Sequence, residues 1–355
     1  AIAWLGATMS AASAKASATV VRGTHDAGRR WLGTWLLAIV LAVAACGFVE
    51  AHWRALGYRP NILDSRQLWA QQRERVDRGR GITLALLGAS RTEFGIDPKR
   101  LRERLPKYRP VMLAVDAHYP LATLRDLAED ENFRGVVLCD LDAVGYLHVY
   151  WDMQQPYVDY FHKQWTPSWS LHRHLLTEWQ RIAVIANPAF GWKSSLTHAL
   201  EGGEPFHDYI RYYANRSGDI DYRQTDPEST KRHFAQTMEG NIAALPPHDP
   251  QRWLGDLAPM HAWIAAINAR GGSVIFYSSP VNGLQREALQ RVFPREQYWD
   301  RLVAAFPEAH FLDALDVPAL SRFDLPDDSH MDYRDKSAYT DALAATLVER
   351  GYLSR

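Results

Sequence analysis

With 355 residues, 47% of them hydrophobic and 23% charged, the chain has the balance of an ordinary globular protein with material for one large domain or two small ones. Lys plus Arg (40) nearly cancel Asp plus Glu (41) to leave a formal charge of −1, so no overall basic field exists to hold a nucleic acid, and none is expected as a partner. The two cysteines, Cys46 and Cys139, provide neither a disulfide framework nor metal-ligand spacing. No metal or other cofactor is expected.

In chain order, residues 1–30 come first, and 1–20 are rich in Ala and Ser and lack an initiator Met. They read as a disordered cytoplasmic tail or a mis-assigned start. Trp31 to Val49, WLGTWLLAIVLAVAACGFV, is an uncharged run of about 19 residues, enough to cross ~30 Å of hydrocarbon as one transmembrane helix. Lys15, Arg22, Arg29 and Arg30 precede it, whereas Glu50 follows at once and Arg54 and Arg59 come later. This positive-inside bias puts the N-terminus in the cytoplasm and the bulk of the chain outside it. Two other readings stay open: a cleaved secretory signal, and a lipobox in Val43-Ala44-Ala45-Cys46 with lipidation of Cys46. All three export the domain. The apolar run continues past Cys46 and the stretch before it is long for a signal, so an uncleaved anchor is the expectation.

Residues 50–80 are polar and helix-compatible, a stalk or first helix. Ile82 to Gly88 is a short apolar run bounded by glycines, the mark of a strand buried on both faces of a parallel sheet. Asp97-Pro98 opens a helix to Leu105, with Asp as N-cap and Pro at the first helical position. Strands are predicted at 111–115, 135–141, 272–278 and 310–315. Helices are predicted at 120–130, 252–269, 284–292 and 335–350, the last stopped by Gly351. Five strands alternating with helices make an α/β fold with a doubly wound parallel sheet, whose sites lie at the carboxyl ends of the strands.

Between about 142 and 250 this rhythm stops. The intervening segment is rich in aromatic residues, among them Trp151, Tyr157, Tyr160, Trp165, Trp169, Trp179, Trp192, Tyr209, Tyr212 and Tyr213, and reads as a large insertion. Its rings suit a small core of their own, a sugar-stacking groove or a membrane interface.

Two elements carry chemistry. Gly88-Ala89-Ser90 ends the first predicted strand, which puts a serine on a tight turn at the site-bearing edge of the sheet, where its own N–H can point at a developing oxyanion. Asp327-Asp328-Ser329-His330 lies between the last predicted strand and the last helix. An Asp-x-x-His turn lets the carboxylate fix the imidazole tautomer while the other ring nitrogen accepts the serine proton. Each is common alone. Together they follow the first and last strands of one sheet, and Ser90, Asp327 and His330 become the candidate catalytic set.

This arrangement resembles the SGNH, or GDSL-like, hydrolase superfamily over about residues 80–141 and 270–353, and in particular the membrane-anchored SGNH-like domains of polysaccharide O-acetylation systems, similar to alginate O-acetyltransferases and the teichoic acid D-alanylation protein. The resemblance implies a flavodoxin-like three-layer sandwich, with Ser90 as nucleophile, His330 as general base then acid, and Asp327 as its orienting partner. It further implies an extracytoplasmic O-acyltransferase, most simply an O-acetyltransferase, that modifies a cell-surface or secreted polysaccharide beside a membrane-bound O-acyltransferase partner. The chain would be a single-pass protein of the bacterial inner membrane with its domain in the periplasm. A carbohydrate esterase with the same triad, and a catalytically degenerate glycan-binding or assembly component of an export complex, are the alternatives.

Family members usually complete the oxyanion hole with a glycine after strand two and an asparagine after strand three. Here those places read Asp116-Ala117-His118-Tyr119 and Asp140-Leu141-Asp142. Ala117 still offers a backbone N–H, but an Asp does not donate as an Asn does, and one lost donor typically costs ~3 kcal/mol of transition-state stabilisation. Asn187 or Asn215 from the insertion are substitutes to consider. His118 and Arg91 are candidate substrate contacts, against the plainer readings of a packing histidine and a structural salt bridge. His172 and His174 form an HxH pair with no partner cluster.

Overall fold

The computed structural model describes residues 8–203, 209–246 and 248–355, with residues 8–30 as backbone. The chain divides into two units, Ala1–Pro60 with Ala183–Pro205, and Asn61–Ile182 with Phe206–Arg355.

In the first unit one helix runs from Thr8 to Ala55. Its stretch Trp31–Ala55 is long and apolar enough to cross a membrane, and large side chains such as Trp31, Leu37, Val43 and Phe48 are exposed along it. The tail expected to be disordered is instead helical from Thr8 onward, because its alanines are strong helix formers continuous with the span; residues 1–7 lie outside the described residues. At the C-terminal end of this stretch Val49 and Trp53, with Tyr58 just after it, bury themselves against Val184 and Phe190. The Glu50 carboxylate accepts from the backbone N–H groups of Val184 and Ile185, both at 3.0 Å. Partial burial raises its pKa, but these bonds and Arg54 outweigh that and hold it below the usual carboxylate value.

The second unit holds the sheet. Its strands are β1 (Ile82–Leu87), β2 (Tyr108–Met112), β3 (Val136–Asp140), β4 (Ile210–Tyr212), β5 (Gly218–Ile220), β6 (Ser273–Ser278) and β7 (His310–Asp313). Five of them form one parallel sheet in the order β2-β1-β3-β6-β7, while β4 and β5 make an antiparallel hairpin. β1 alternates its allegiance: Ala85 and Leu87 face a core built with Trp69, Leu124 and Ile264, whereas Leu84 and Leu86 face one built with Leu101, Leu343 and Leu347. Both faces are therefore covered by helices, which makes three layers. Each fully buried leucine of this kind contributes roughly 1.5–3 kcal/mol. The chain leaves β1 toward β2 on one side and continues from β3 on the other, so the loops after β1 and β3 flank the point where the winding reverses.

The structure differs from several sequence expectations for identifiable reasons. β2 starts at Tyr108, three residues before the predicted strand, with Pro110 inside it; an edge strand accepts a proline because its missing N–H can face away from the ladder. The helix predicted at 252–269 is two, Pro250–Asp256 and Pro259–Ala269, since Pro259 donates no bond to the preceding turn. Residues 50–80 split, and Arg66–Val76 is a helix whose Trp69 and Val76 belong to the sheet core. Within the segment 142–250, residues 183–203 go with the first unit, and the second unit takes from it the hairpin and the helices Gln155–Gln164, Pro167–Ile182 and Pro227–Ala243.

Candidate functional site

Ser90 is the first residue of a short helix, Ser90–Gly95, that begins directly after β1. At that position its N–H has no acceptor within the helix. The glycine two residues earlier is dictated by space: a Cβ on Gly88 would lie 2.0 Å from Thr92 Oγ1 and 2.8 Å from Asp140 Cβ. Thr92 sits that close because its hydroxyl meets the Tyr277 hydroxyl at 2.6 Å.

Asp327 and His330 come from the turn after Leu325, held by Asp328 in a left-handed conformation (φ 66°). Asp328 accepts from Leu284 N at 3.1 Å and pairs with Lys231 at 3.0 Å, while its carbonyl accepts from Asn282 N at 2.9 Å. The turn aims Asp327 inward. Its Oδ1 accepts from the N–H groups of Ser329 and His330 at 2.9 and 2.7 Å, and its Oδ2 meets His330 Nδ1 at 2.8 Å. His330 Nε2 lies 2.8 Å from Ser90 Oγ. A carboxylate only accepts, so Nδ1 carries the proton and the Nε2 lone pair faces the serine hydroxyl. The fold thus brings the three residues into one hydrogen-bonded chain.

The electrostatics suit that order. Burial of Asp327 raises its pKa, but the bonds and charge of His330, with the nearby Tyr222 hydroxyl, prevail and keep it below the usual carboxylate value. Tyr222 is buried and its phenol is pushed up, first by burial and then by the Asp327 charge. Asp327 and His330 are buried, while Ser90 is partly open. Two rings frame the imidazole edge-on, Phe234 at 5.2 Å and Phe94 at 6.3 Å between centroids.

A buried ion network meets the helix Ser90–Gly95 at Glu93. Arg216, fully buried, donates to both oxygens of Asp64 (2.7 and 2.6 Å), to Glu93 (2.9 Å) and to the Ala114 carbonyl (2.6 Å). Glu93 also accepts from Asp116 N at 2.9 Å. Burial holds Glu93 well above the usual carboxylate range; Arg216 opposes this, and the charges of Asp64 and Asp116 add to it. Arg216 therefore joins the β4–β5 turn to the serine helix and to the end of β2.

The remaining candidates divide. Ala117 takes a left-handed backbone (φ 57°), the conformation a glycine adopts without cost at that place. His118 closes the same turn, its N donating to Val115 O at 3.0 Å and its Nδ1 meeting Asp116 O at 2.7 Å. Arg91 is not free for substrate: its guanidinium is ion-paired with Asp142 and lies 3.9 Å from Asp140. Asp140, where an asparagine is expected, accepts from Ser279 N and Oγ at 3.2 and 2.9 Å. Asp140 is thus an acceptor that is already engaged. Asn215 is used in its own turn, accepting from Ser217 N and Oγ, and Asn187, in the first unit, accepts from Ala189 N.

Gln154 was not foreseen. Its side chain is completely buried, and its Nε2 donates to both Gly88 O and His118 O at 2.9 Å while its Oε1 accepts from the Thr123 hydroxyl. It ties the serine turn to the Ala117 turn. A glutamine in an irregular aromatic segment carries no periodic or motif signal that would mark it.

No family model matches the chain, and no curated protein matches it. Among solved structures, one titled "Crystal Structure of TesA" is similar at 13% identity, covering 75% of this chain and 97% of that one with a TM-score of 0.32.

Proposed function

We propose that the chain is a serine acyltransferase of SGNH type, an extracytoplasmic O-acetyltransferase that modifies a cell-surface or secreted polysaccharide. The observation that carries this reading is the continuous Ser90–His330–Asp327 hydrogen-bonded chain at the reversal point of a parallel sheet. Ser90 Oγ attacks the acyl carbonyl as its proton passes to His330 Nε2, and Asp327 stabilises the imidazolium. The Ser90 and Ala117 N–H groups are the donors for the oxyanion. Collapse expels the donor's leaving group, which takes the proton from His330, and leaves acyl-Ser90. A sugar hydroxyl then attacks, giving its proton to His330 and taking the acyl group as Ser90 is restored. The apolar helix Trp31–Ala55 anchors the domain on the periplasmic side of the inner membrane, and a membrane-bound O-acyltransferase supplies the acyl group.

A second reading, a degenerate SGNH domain that binds glycan without turnover, is favoured by the engaged carboxylate of Asp140 in the asparagine's place. A fluorophosphonate probe separates the two. Labelling of the full chain that disappears in Ser90→Ala supports the enzyme, and a folded wild type that neither labels nor turns over an activated acetyl ester refutes it. Incubation with an acetyl donor and an oligosaccharide then distinguishes transfer to a sugar hydroxyl from release of free acetate; release alone, with acceptor present, makes the chain an esterase.

A further inference from the structure

The first unit contains a helix, Trp192–Glu201, whose three sides differ in character. One side packs against the helix that carries the apolar span: Trp53 Nε1 donates to Ser195 Oγ at 2.9 Å, and the His198 ring lies 5.4 Å from Trp53 and 5.5 Å from His52. A second, at four-residue spacing, is Lys193, Thr197 and Glu201, polar and exposed. The third is Trp192, Leu196 and Leu200, which are 55%, 61% and 76% exposed. Three large apolar side chains in one stripe, left outside any core, mark a surface that something apolar covers.

Its position says what. His52 and Trp53 follow the last residue of the uncharged run, Val49, by three and four residues, which at 1.5 Å per residue is about 5–6 Å along the helix axis. Val184 and Phe190, just ahead of the short helix, are packed on Val49 and Trp53, so its level beside the span is fixed. Phe48, 75% exposed, continues the apolar surface on the span itself. For a bilayer crossed by the uncharged run Trp31 to Val49, which Glu50 and Arg54 follow, that level is the headgroup boundary. A helix with an apolar stripe beside a polar one, and a tryptophan at the end of the apolar stripe, has the pattern of an element lying in that boundary.

We infer that the helix Trp192–Glu201 lies on the bilayer surface beside the span, with Trp192, Leu196 and Leu200 inserted among the lipids. The inference rests on the reading of Trp31–Ala55 as a membrane span. Such a contact gives the anchor a second point of attachment, which restricts its rotation about the membrane normal.

The test uses the full chain with Cys46→Ala, reconstituted in phosphatidylethanolamine and phosphatidylglycerol vesicles; Cys139 is buried. An environment-sensitive fluorophore is placed on Leu196→Cys, Leu200→Cys, Thr197→Cys or, as a control within the span, Val40→Cys. A nitroxide lipid labelled near the headgroup should remove most emission at 196 and 200 and little at 197, while aqueous iodide should do the reverse. Iodide quenching of 196 and 200 as strong as that of 197 places the helix in water and overturns the inference. Protection of 196 and 200 from both quenchers means that protein, a second copy or another partner, covers the stripe, and also overturns it. If Val40 is open to iodide, the span reading itself fails, and this inference with it.

Discussion

The Gln154 side-chain amide donates to the carbonyl of Gly88 at 2.9 Å, two residues ahead of Ser90, and with its other hydrogen to His118 at the same distance. One buried side chain therefore fixes the spacing between the proposed nucleophile turn and the turn carrying Ala117. Gln154→Leu strands both carbonyls, at about 1–3 kcal/mol each. Its fluorophosphonate labelling rate, corrected for the folded fraction, should fall roughly 10- to 100-fold, because small misplacements of reacting groups are costly. Gln154→Glu, which keeps the acceptor for Thr123 but loses both donors, should behave alike. A corrected rate equal to wild type would refute the positioning role.

Asp327→Asn tests the tautomer argument. An amide at that place can offer an N–H to His330 Nδ1 and turn the ring's remaining proton toward Ser90. Under the proposed mechanism, turnover of an activated acetyl ester should drop by roughly 10³–10⁴-fold with a near-native fold, as read by steady-state kinetics and circular dichroism together.

Arg216 is the only cation in its pocket bonded to Asp64 and Glu93, among the described residues. Arg216→Met leaves buried acid without a partner and should cost about 3–5 kcal/mol in chemical denaturation. Glu93→Gln should cost less, since Arg216 keeps its two bonds to Asp64.

His162, on the helix Gln155–Gln164, meets Asp126 at 2.5 Å. That bond raises the histidine pKa against an opposing contribution from burial. The folded value lies above the unfolded one of about 6.5, so the stabilisation is complete below pH ~6.5 and is lost as pH rises through the folded value. The difference in denaturation midpoint between wild type and His162→Gln should be clear at pH 6 and shrink toward pH 9. A difference constant across that range would mean that the contact does not depend on the histidine's charge.

Ala117 holds φ 57° at a penalty of about 1–2 kcal/mol for a residue with a Cβ. Ala117→Gly removes the strain but adds freedom to the unfolded chain, which costs roughly 0.5–1 kcal/mol. Stability should change little and labelling should persist. Ala117→Val, β-branched at a left-handed position, should lower both.

What the sequence determined by itself is whatever repeats or stands at an element's end. The apolar runs specified five parallel strands, Asp97-Pro98 and Gly351 marked helix limits, the uncharged run marked the apolar helix, and Gly-x-Ser with Asp-x-x-His named three residues that the fold joins. These signals are local, because burial on a strand or helix is written into the period of its own side chains. The tertiary structure decided how buried polar groups pair. Arg91 turned inward to Asp142, Asp140 to Ser279, Gln154 to Gly88, and Arg216 to Asp64 across 152 positions of chain. No period encodes such pairs, since each is chosen by the need to satisfy a desolvated group with whatever partner the packed fold brings within reach.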